Sequence, residues 1–373
     1  MSTAADIAIV GAGIAGLSAA AFLAPRYRVV VLEAEAQPGV HASGRSAALF
    51  AEAYGNGPIR ALTRASRAFF EAPPQGFSET PLLAPRGALF IAATGQEDSL
   101  SELAASVGPG LRLLDPEGAR AVVSELRPDR LVGALHDAAA ADIDVHGLMQ
   151  GFLRMARGAG ARMLTEHAVV SIDRHAGGWR IRAGDVNVEA AILVNAAGAW
   201  GDRVAALAGI TPVGLSPRRR TAFLFDPPPG IATSNWPLVI DVDEQFYVKP
   251  ESGRLLGSPA DETPMEPYDA QPDDYDIAVA AARIEEALSI SFRSIRSKWA
   301  GLRTFAPDRT PVVGFEPGED RFFWLVGQGG YGMQTAPAMG LLTACLIGGT
   351  ALPSGLQEDG VEPAALAPGR FER

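Results

Sequence analysis

Two short, continuously apolar runs, residues 7–10 and 29–32, stand near the start of the chain with an alanine-rich stretch between them. Uninterrupted apolar runs of that length predict strands buried on both faces, and the stretch between them predicts a helix. Residues 59–70 have helical spacing, with Leu62, Ala65 and Phe69 on one side, and the prolines at 73, 74, 81 and 85 then mark a change of territory. A strand is predicted over 89–92 and a helix over 99–107; Asp115 and Asp144 are placed to cap two further helices, the second over 145–157. Runs at 169–173, 179–182 and 186–188 read as a small antiparallel meander, and 192–195 as one more buried strand. Strand-like runs follow at 220–225, 238–242, 246–249 and 254–256, then a helix over 275–290, a buried strand at 322–326 and an apolar helix over 339–347.

The pieces that suit a parallel sheet are scattered over the N-terminus, the middle and the C-terminus, with strand-rich pieces between them. The pattern predicts an α/β (α+β) chain: a Rossmann-like nucleotide domain interrupted by an inserted antiparallel-sheet substrate domain, with a ligand crevice between the two. The expected nucleotide part is 1–80, 141–212 and 301–373, and the expected substrate part 81–140 and 213–300.

The first turn carries chemistry. Gly11-x-Gly13-x-x-Gly16 lies between the first strand and the first helix, and Glu33 closes the second strand. Gly11 permits the tight turn, Gly13 lets backbone approach a pyrophosphate, and Gly16 lets helix and strand pack closely. With Ile14 and Ala15, these glycines open a helix whose free N–H groups would take the pyrophosphate. Glu33, followed by Ala34, is placed to accept hydrogen bonds from ribose hydroxyls. A second glycine-rich turn, 327–332, precedes the last helix, and Gly329 to Thr335 offer N–H donors and a positive dipole end to a developing anion.

The chain has 373 residues, 47% of them hydrophobic, and a net charge of −11. That length suits two domains, and the acidity argues against nucleic acid or an anionic membrane as partner. Cys345 is the single cysteine, so no internal disulfide forms, in keeping with a cytoplasmic location. The apolar N-terminus lacks a basic leader, carrying Asp6 instead, and no membrane span or metal site is expected.

Across nearly its whole length the chain resembles the D-amino-acid oxidase-like flavoproteins, and within them the bacterial D-arginine/D-amino-acid dehydrogenases. The resemblance is carried by Ile9-Val-Gly-Ala-Gly-Ile-Ala-Gly16, Gly44-Arg-Ser-Ala-Ala48, Val194-Asn-Ala-Ala-Gly-Ala-Trp200, Phe246-Tyr247 with Lys249-Pro250, Trp299-Ala-Gly-Leu-Arg303 and Gln328-Gly-Gly-Tyr-Gly332. It implies FAD, bound non-covalently. By family position Gly44, Arg45, Ser46, Ala47 and Ala48 would lie beside the isoalloxazine, and Val169 against the adenine. Ala197, Gly198 and Trp200 would line the cofactor channel; Gly301, Gly329, Gly330, Tyr331, Gly332, Met333, Gln334 and Thr335 complete the expected cofactor set.

The resemblance also implies that Arg220 and Arg303 bind a substrate carboxylate, that Tyr54 and Tyr247 contact the substrate, and that the Gly330 carbonyl accepts from its amine. Arginine suits that task because its planar fork is always charged. Read without the resemblance, Arg220 ends a run of three arginines that would equally suit a solvated face. The chain departs from relatives specific for D-arginine and D-lysine: Ala88 stands where they carry a glutamate, Leu49 where they carry a histidine, and Ala51 where they carry a threonine. Binding a cation without that carboxylate costs several kcal/mol in a dry pocket, so apolar or small D-amino acids are expected. Glu52, on the face of Tyr54 by alternation, would be the replacement charge that keeps D-arginine or D-lysine as the alternative.

The expected reaction is oxidative deamination, with hydride moving from the α-carbon to flavin N5 and the imino acid hydrolysing to a 2-oxo acid and ammonia. A glycine/sarcosine oxidase-type enzyme using oxygen is the second reading, and a flavin-binding protein without turnover a third. The electron acceptor is left open, and the expected assembly is a monomer or homodimer.

Overall fold

The computed structural model describes residues 2–107, 110–175, 177–291 and 294–371. Two large sheets and a three-stranded one organise the chain. In the first large sheet, Ser2–Val10 runs parallel between Val29–Leu32 and Val186–Asn195, and Glu319–Val326 extends the parallel set beyond Val186–Asn195. The registers Val10↔Leu32, Val10↔Asn195 and Asn195↔Trp324 bring four carboxyl ends to one edge. The chain leaves Ser2–Val10 toward Val29–Leu32 on one side while Val186–Asn195 lies on the other. That reversal of strand order is where open α/β sheets bind ligands.

The helix Ile14–Leu23 is apolar on nearly all sides because it is covered by neighbours rather than by water. It packs against Val145–Gly158 and Gly332–Gly348 in one core with Phe152, Phe323 and Leu342. Contact with the last helix is so close that a Cβ on Gly340 would fall 2.8 Å from the Ser18 carbonyl oxygen. The expected caps form: Asp115 accepts from the Gly118 N–H at 2.7 Å and Asp144 from the Gly147 N–H at 2.8 Å.

The second large sheet has ten strands and is antiparallel except where Leu238–Asp241 pairs parallel with Ala88–Ala93. Its longest pairing joins Ser216–Phe225 to Ile295–Phe305. The third sheet joins Leu49–Phe50 and Leu83–Pro85 to Ala141–Ile143.

Four differences from the sequence reading have physical causes. Val186–Asn195 is one strand rather than two. Its first half alternates beside Gly178–Ala183, and its last three residues are buried beside Glu319–Val326. Ile295–Phe305 is not legible as a strand because its first four residues are exposed and only one of them, Ile295, is apolar. It crosses the expected boundary at 301, so Gly301 to Phe305 pair within the antiparallel sheet. The last helix begins at Gly332 rather than 339, which makes 332–335 its first turn.

The first core turns on Phe152, fully buried against Phe22, Phe69 and Phe77. Phe152→Ala is expected to lower unfolding stability by about 3–5 kcal/mol, measured as a shift of the denaturant midpoint at constant flavin content.

Candidate active site

A cavity of about 540 Å³ runs from the carboxyl ends of the parallel strands to the face of the antiparallel sheet. At the first end, Gly11 has φ +102°, and a Cβ there would lie 2.5 Å from the Ala196 carbonyl oxygen. A Cβ on Gly16 would lie 1.9 Å from the Gly11 oxygen, so Gly16 packs the turn and does not line the cavity. Gly13, Ile14 and Ala15 do line it, as do Glu33, Ala34, Val169, Ala197, Gly198 and Trp200. The Glu33 carboxylate accepts from the Ala12 N–H at 2.7 Å and the Glu35 N–H at 3.0 Å. A carboxylate has about four lone-pair sites, so acceptor capacity remains for hydroxyls.

Ser43 escaped the sequence reading. Its hydroxyl accepts from the Ile14 N–H at 2.9 Å, linking the loop at 39–47 to the helix start. The small-residue composition of that loop was its visible signal. Gln328, from the second glycine-rich turn, also lines the cavity, as do Tyr268 and Thr304, which no feature of the sequence singled out.

Arg45, Ser46 and Ala47 border the middle of the cavity with Gly301, Gly329, Gly330, Gly332 and Met333. Arg45 binds the loop to the antiparallel sheet: it donates to the carbonyls of Val40, Ala270 and Ala300 and pairs with Asp269. The Trp299 indole donates to the Arg45 carbonyl at 3.0 Å. Gly44 lies behind this wall, its N–H on the Gly39 carbonyl, and Ala48 packs into the core.

At the far end Arg220, Tyr247 and Arg303 converge. The register Arg218↔Arg303 and Arg220↔Gly301 puts both arginines on one face of the sheet. Arg220 is buried, its Nε donating to the Asp261 carbonyl at 2.9 Å and one Nη to Glu262 at 3.3 Å. Arg303 donates to the Tyr54 hydroxyl at 3.4 Å and has no carboxylate within ion-pair distance among the described residues. Burial alone would lower the Arg303 pKa, but Tyr54, Tyr247 and Glu244 outweigh it and hold the guanidinium above its ordinary value. Gly330 is packed on that guanidinium: a Cβ there would fall 2.6 Å from Arg303 Cζ.

Tyr54 stands behind Arg303, its hydroxyl donating to Glu244 at 3.2 Å and its ring 4.9 Å from Tyr331. Burial, then the Glu244 charge, pushes the Tyr54 phenol upward; burial and Tyr54 do the same to Tyr331. Leu49 and Ala88 share an apolar cluster with Tyr54 and Tyr247, off the cavity wall. Gln334 and Thr335 sit inside the helix packing: the Gln334 amide donates to Thr63 at 2.9 Å, and the Thr335 hydroxyl to the Tyr331 carbonyl at 2.9 Å. Glu52 corrects an expectation. It is paired with Arg67, which also holds Glu71, so it is no free charge for a cationic substrate.

A family model described as "DAO: FAD dependent oxidoreductase" matches residues 6–346. The chain belongs to the DAO family of FAD-dependent oxidoreductases. FAD is therefore its cofactor. The chain is 31% identical over 177 residues to the bovine FAD-dependent oxidoreductase domain-containing protein 1, spanning 43% of this chain and about a third (36%) of that relative. It is 30% identical over 217 residues to a Bacillus licheniformis glycine oxidase, 55% of each chain. The solved glycine oxidase of Geobacillus kaustophilus superposes with a TM-score of 0.85 over 99% of this chain and 100% of the other, at 21% identity. That likeness is one of fold. Among the described residues, no helix is long and apolar enough to cross a membrane, and no acid, histidine or cysteine group could hold a metal.

Gly16→Ala drives a methyl into the Gly11 carbonyl. Roughly 1–3 kcal/mol of strain is expected to weaken FAD binding about tenfold or more, read from the flavin-to-protein absorbance ratio after dialysis.

Proposed function

We propose that this DAO-family enzyme oxidatively deaminates D-amino acids with apolar or small side chains. The observation that carries this reading is Arg303, a half-buried guanidinium that lines the cavity beside Arg220 and has no carboxylate within ion-pair distance among the described residues. A planar fork that its surroundings keep charged and that no ion pair takes up suits a ligand carboxylate.

The residues of the first end fit FAD by their donor set. Gly13 and Ala15 offer backbone N–H groups to the pyrophosphate, with the Ile14 N–H already capped by Ser43. Glu33 accepts ribose hydroxyls, and Val169 flanks the adenine. Cys345 is buried and off the cavity wall, and His41 is engaged by Glu35 at 2.8 Å, which supports FAD held without a covalent bond. When bound, FAD supplies the hydride acceptor, its N5.

The chain's own residues then do positioning work. Arg303 and Arg220 hold the carboxylate, the Gly330 carbonyl accepts from the amine, and Tyr247 closes the pocket beside them. The α-hydrogen is thereby directed at the ring, and the imino acid that leaves hydrolyses in water to the 2-oxo acid and ammonia. The apolar cluster that reaches the cavity at Ala47, Ala222 and Tyr247 and the engagement of Glu52 by Arg67 support small or apolar side chains over D-arginine and D-lysine. The D configuration rests on the resemblance to D-amino-acid dehydrogenases. Similarity to glycine oxidases favours a second reading, an oxygen-using glycine or sarcosine oxidase.

A panel of D- and L-amino acids, glycine and sarcosine, with a dye acceptor and with oxygen, tests both. Turnover of D-alanine-like substrates with dye supports the first; turnover restricted to glycine and sarcosine with oxygen supports the second. Arg303→Lys loses the planar fork and is expected to lower kcat/KM by about ten- to a hundredfold, mostly through KM. Because Tyr54 and Tyr331 are shifted upward, both stay protonated as pH rises. The kcat/KM profile should therefore climb through one ionisation, that of the substrate amine, and level off. A fall at high pH would require a second, protonated group.

A further inference from the structure

On the edge away from Ile295–Phe305, Ser216–Phe225 loses its strand neighbour just where it carries Arg220. Pairing with Arg254–Ser258 stops at Phe223↔Gly257, and pairing with Thr263–Pro264 resumes only at Arg219↔Thr263. Between them the chain passes through Ala260, a buried non-glycine residue at φ +53°. Left-handed backbone at such a residue costs of order 1 kcal/mol or more and persists where surroundings over-determine it.

Side chains replace the missing ladder. The Ser258 hydroxyl donates to the Thr221 carbonyl at 2.6 Å. Asp261 accepts from the Thr221 N–H at 2.6 Å, the Thr221 hydroxyl at 3.1 Å and Arg219 Nε at 3.3 Å, and its carbonyl takes Arg220 Nε. The polar contacts of Asp261 therefore all fall on residues 219–221, and its side chain is only 7% exposed.

Glu262 continues the clamp toward the second arginine. It accepts from Arg220 and, through both oxygens, from the Arg309 fork at 2.8 and 3.0 Å. Arg309, itself at φ +60°, lies 3.9 Å over the Phe305 ring. That ring fills the space where Gly329 lacks a side chain, and the next residue, Gly330, is packed on Arg303. One run of contacts thus links Arg220 to Arg303.

We propose that Asp261 and Glu262 are positioning residues for carboxylate binding, an inference that rests on the proposed roles of Arg220 and Arg303. With Nε and one Nη hydrogen of Arg220 engaged, its Nη1–Nη2 edge is left for the ligand. The Glu262–Arg309–Phe305 contacts hold that edge at a fixed distance from Arg303. Neither acid touches the substrate.

The test uses the FAD-loaded enzyme and follows the flavin spectrum during titration with benzoate, a monocarboxylate, and benzamide, its neutral counterpart. Removing an acid beside an anion site would by charge alone tighten benzoate binding, so weakening is the mark of lost positioning. Asp261→Asn and Glu262→Ala are each expected to weaken benzoate by about ten- to a hundredfold, with benzamide and flavin content unchanged. Asp276→Asn, which removes a partner of Arg219 only, should leave benzoate binding as it is. Should Asp261→Asn fail to fold, the more exposed Glu262 decides. Unchanged or tighter benzoate binding in Glu262→Ala overturns the proposal, as does a wild type that binds no carboxylate. Since the readout is binding, loss of benzoate affinity supports the clamp even if D-amino acids prove not to be substrates.

Discussion

A half-buried guanidinium with no carboxylate in ion-pair distance among the described residues needs other groups to keep it charged and in place, and Arg303 is such a group. What tolerates it is local. The Tyr54 hydroxyl accepts from it, Glu244 stands one hydrogen bond further back, and Gly330 leaves room for the planar group against backbone. On the proposed function the arrangement is half of a pair. A ligand carboxylate would supply charge-assisted hydrogen bonds, which are stronger in a cavity partly shielded from water.

That half-pair is useful only if the sheet bearing it is registered against the nucleotide-binding edge. Arg45 provides one tie, donating to carbonyls on both sides of the cavity. A second lies on the strand of Tyr247. Lys249, two residues on and on the same face, is buried and bonded to Asp142 at 2.7 Å, and Asp142 also takes Arg86 at 2.7 Å. Asp142 belongs to the small sheet that also holds Leu49–Phe50, directly after the cavity loop. Buried ion pairs of this kind contribute little net stability but penalise any geometry that separates them. Here the penalised displacement is that of Tyr247 relative to the loop.

The nucleotide end was the more legible half of the site. Its signals are local: Gly11, Gly13 and Gly16 at fixed spacing, an apolar strand on either side, and an acid closing the second. Each constraint acts within about thirty residues, so a linear reading reaches it. Arg220 stood out mainly through resemblance, because a run such as Arg218-Arg219-Arg220 has the same appearance on a solvated strand. Their alternation separates them: Arg219 turns to Asp276 on the helix side and Arg220 into the cavity.

The sequence by itself determined the βαβ start, the helix caps at Asp115 and Asp144, the mixed parallel and antiparallel architecture and, through its motifs, the use of FAD. Only the tertiary structure decided that Val186–Asn195 is one strand with two kinds of neighbour, that Ile295–Phe305 is a strand at all, and that Glu52 is spent on Arg67. The two strands depend on partners far away in the chain, and the ion pair, though its members are only 15 residues apart, on how the helix Gly57–Glu71 packs beside Leu49–Phe50. Hydrophobic periodicity records how much of a segment is covered and is silent about what covers it, so pairing and charge partnership became readable only once the sheets were assembled.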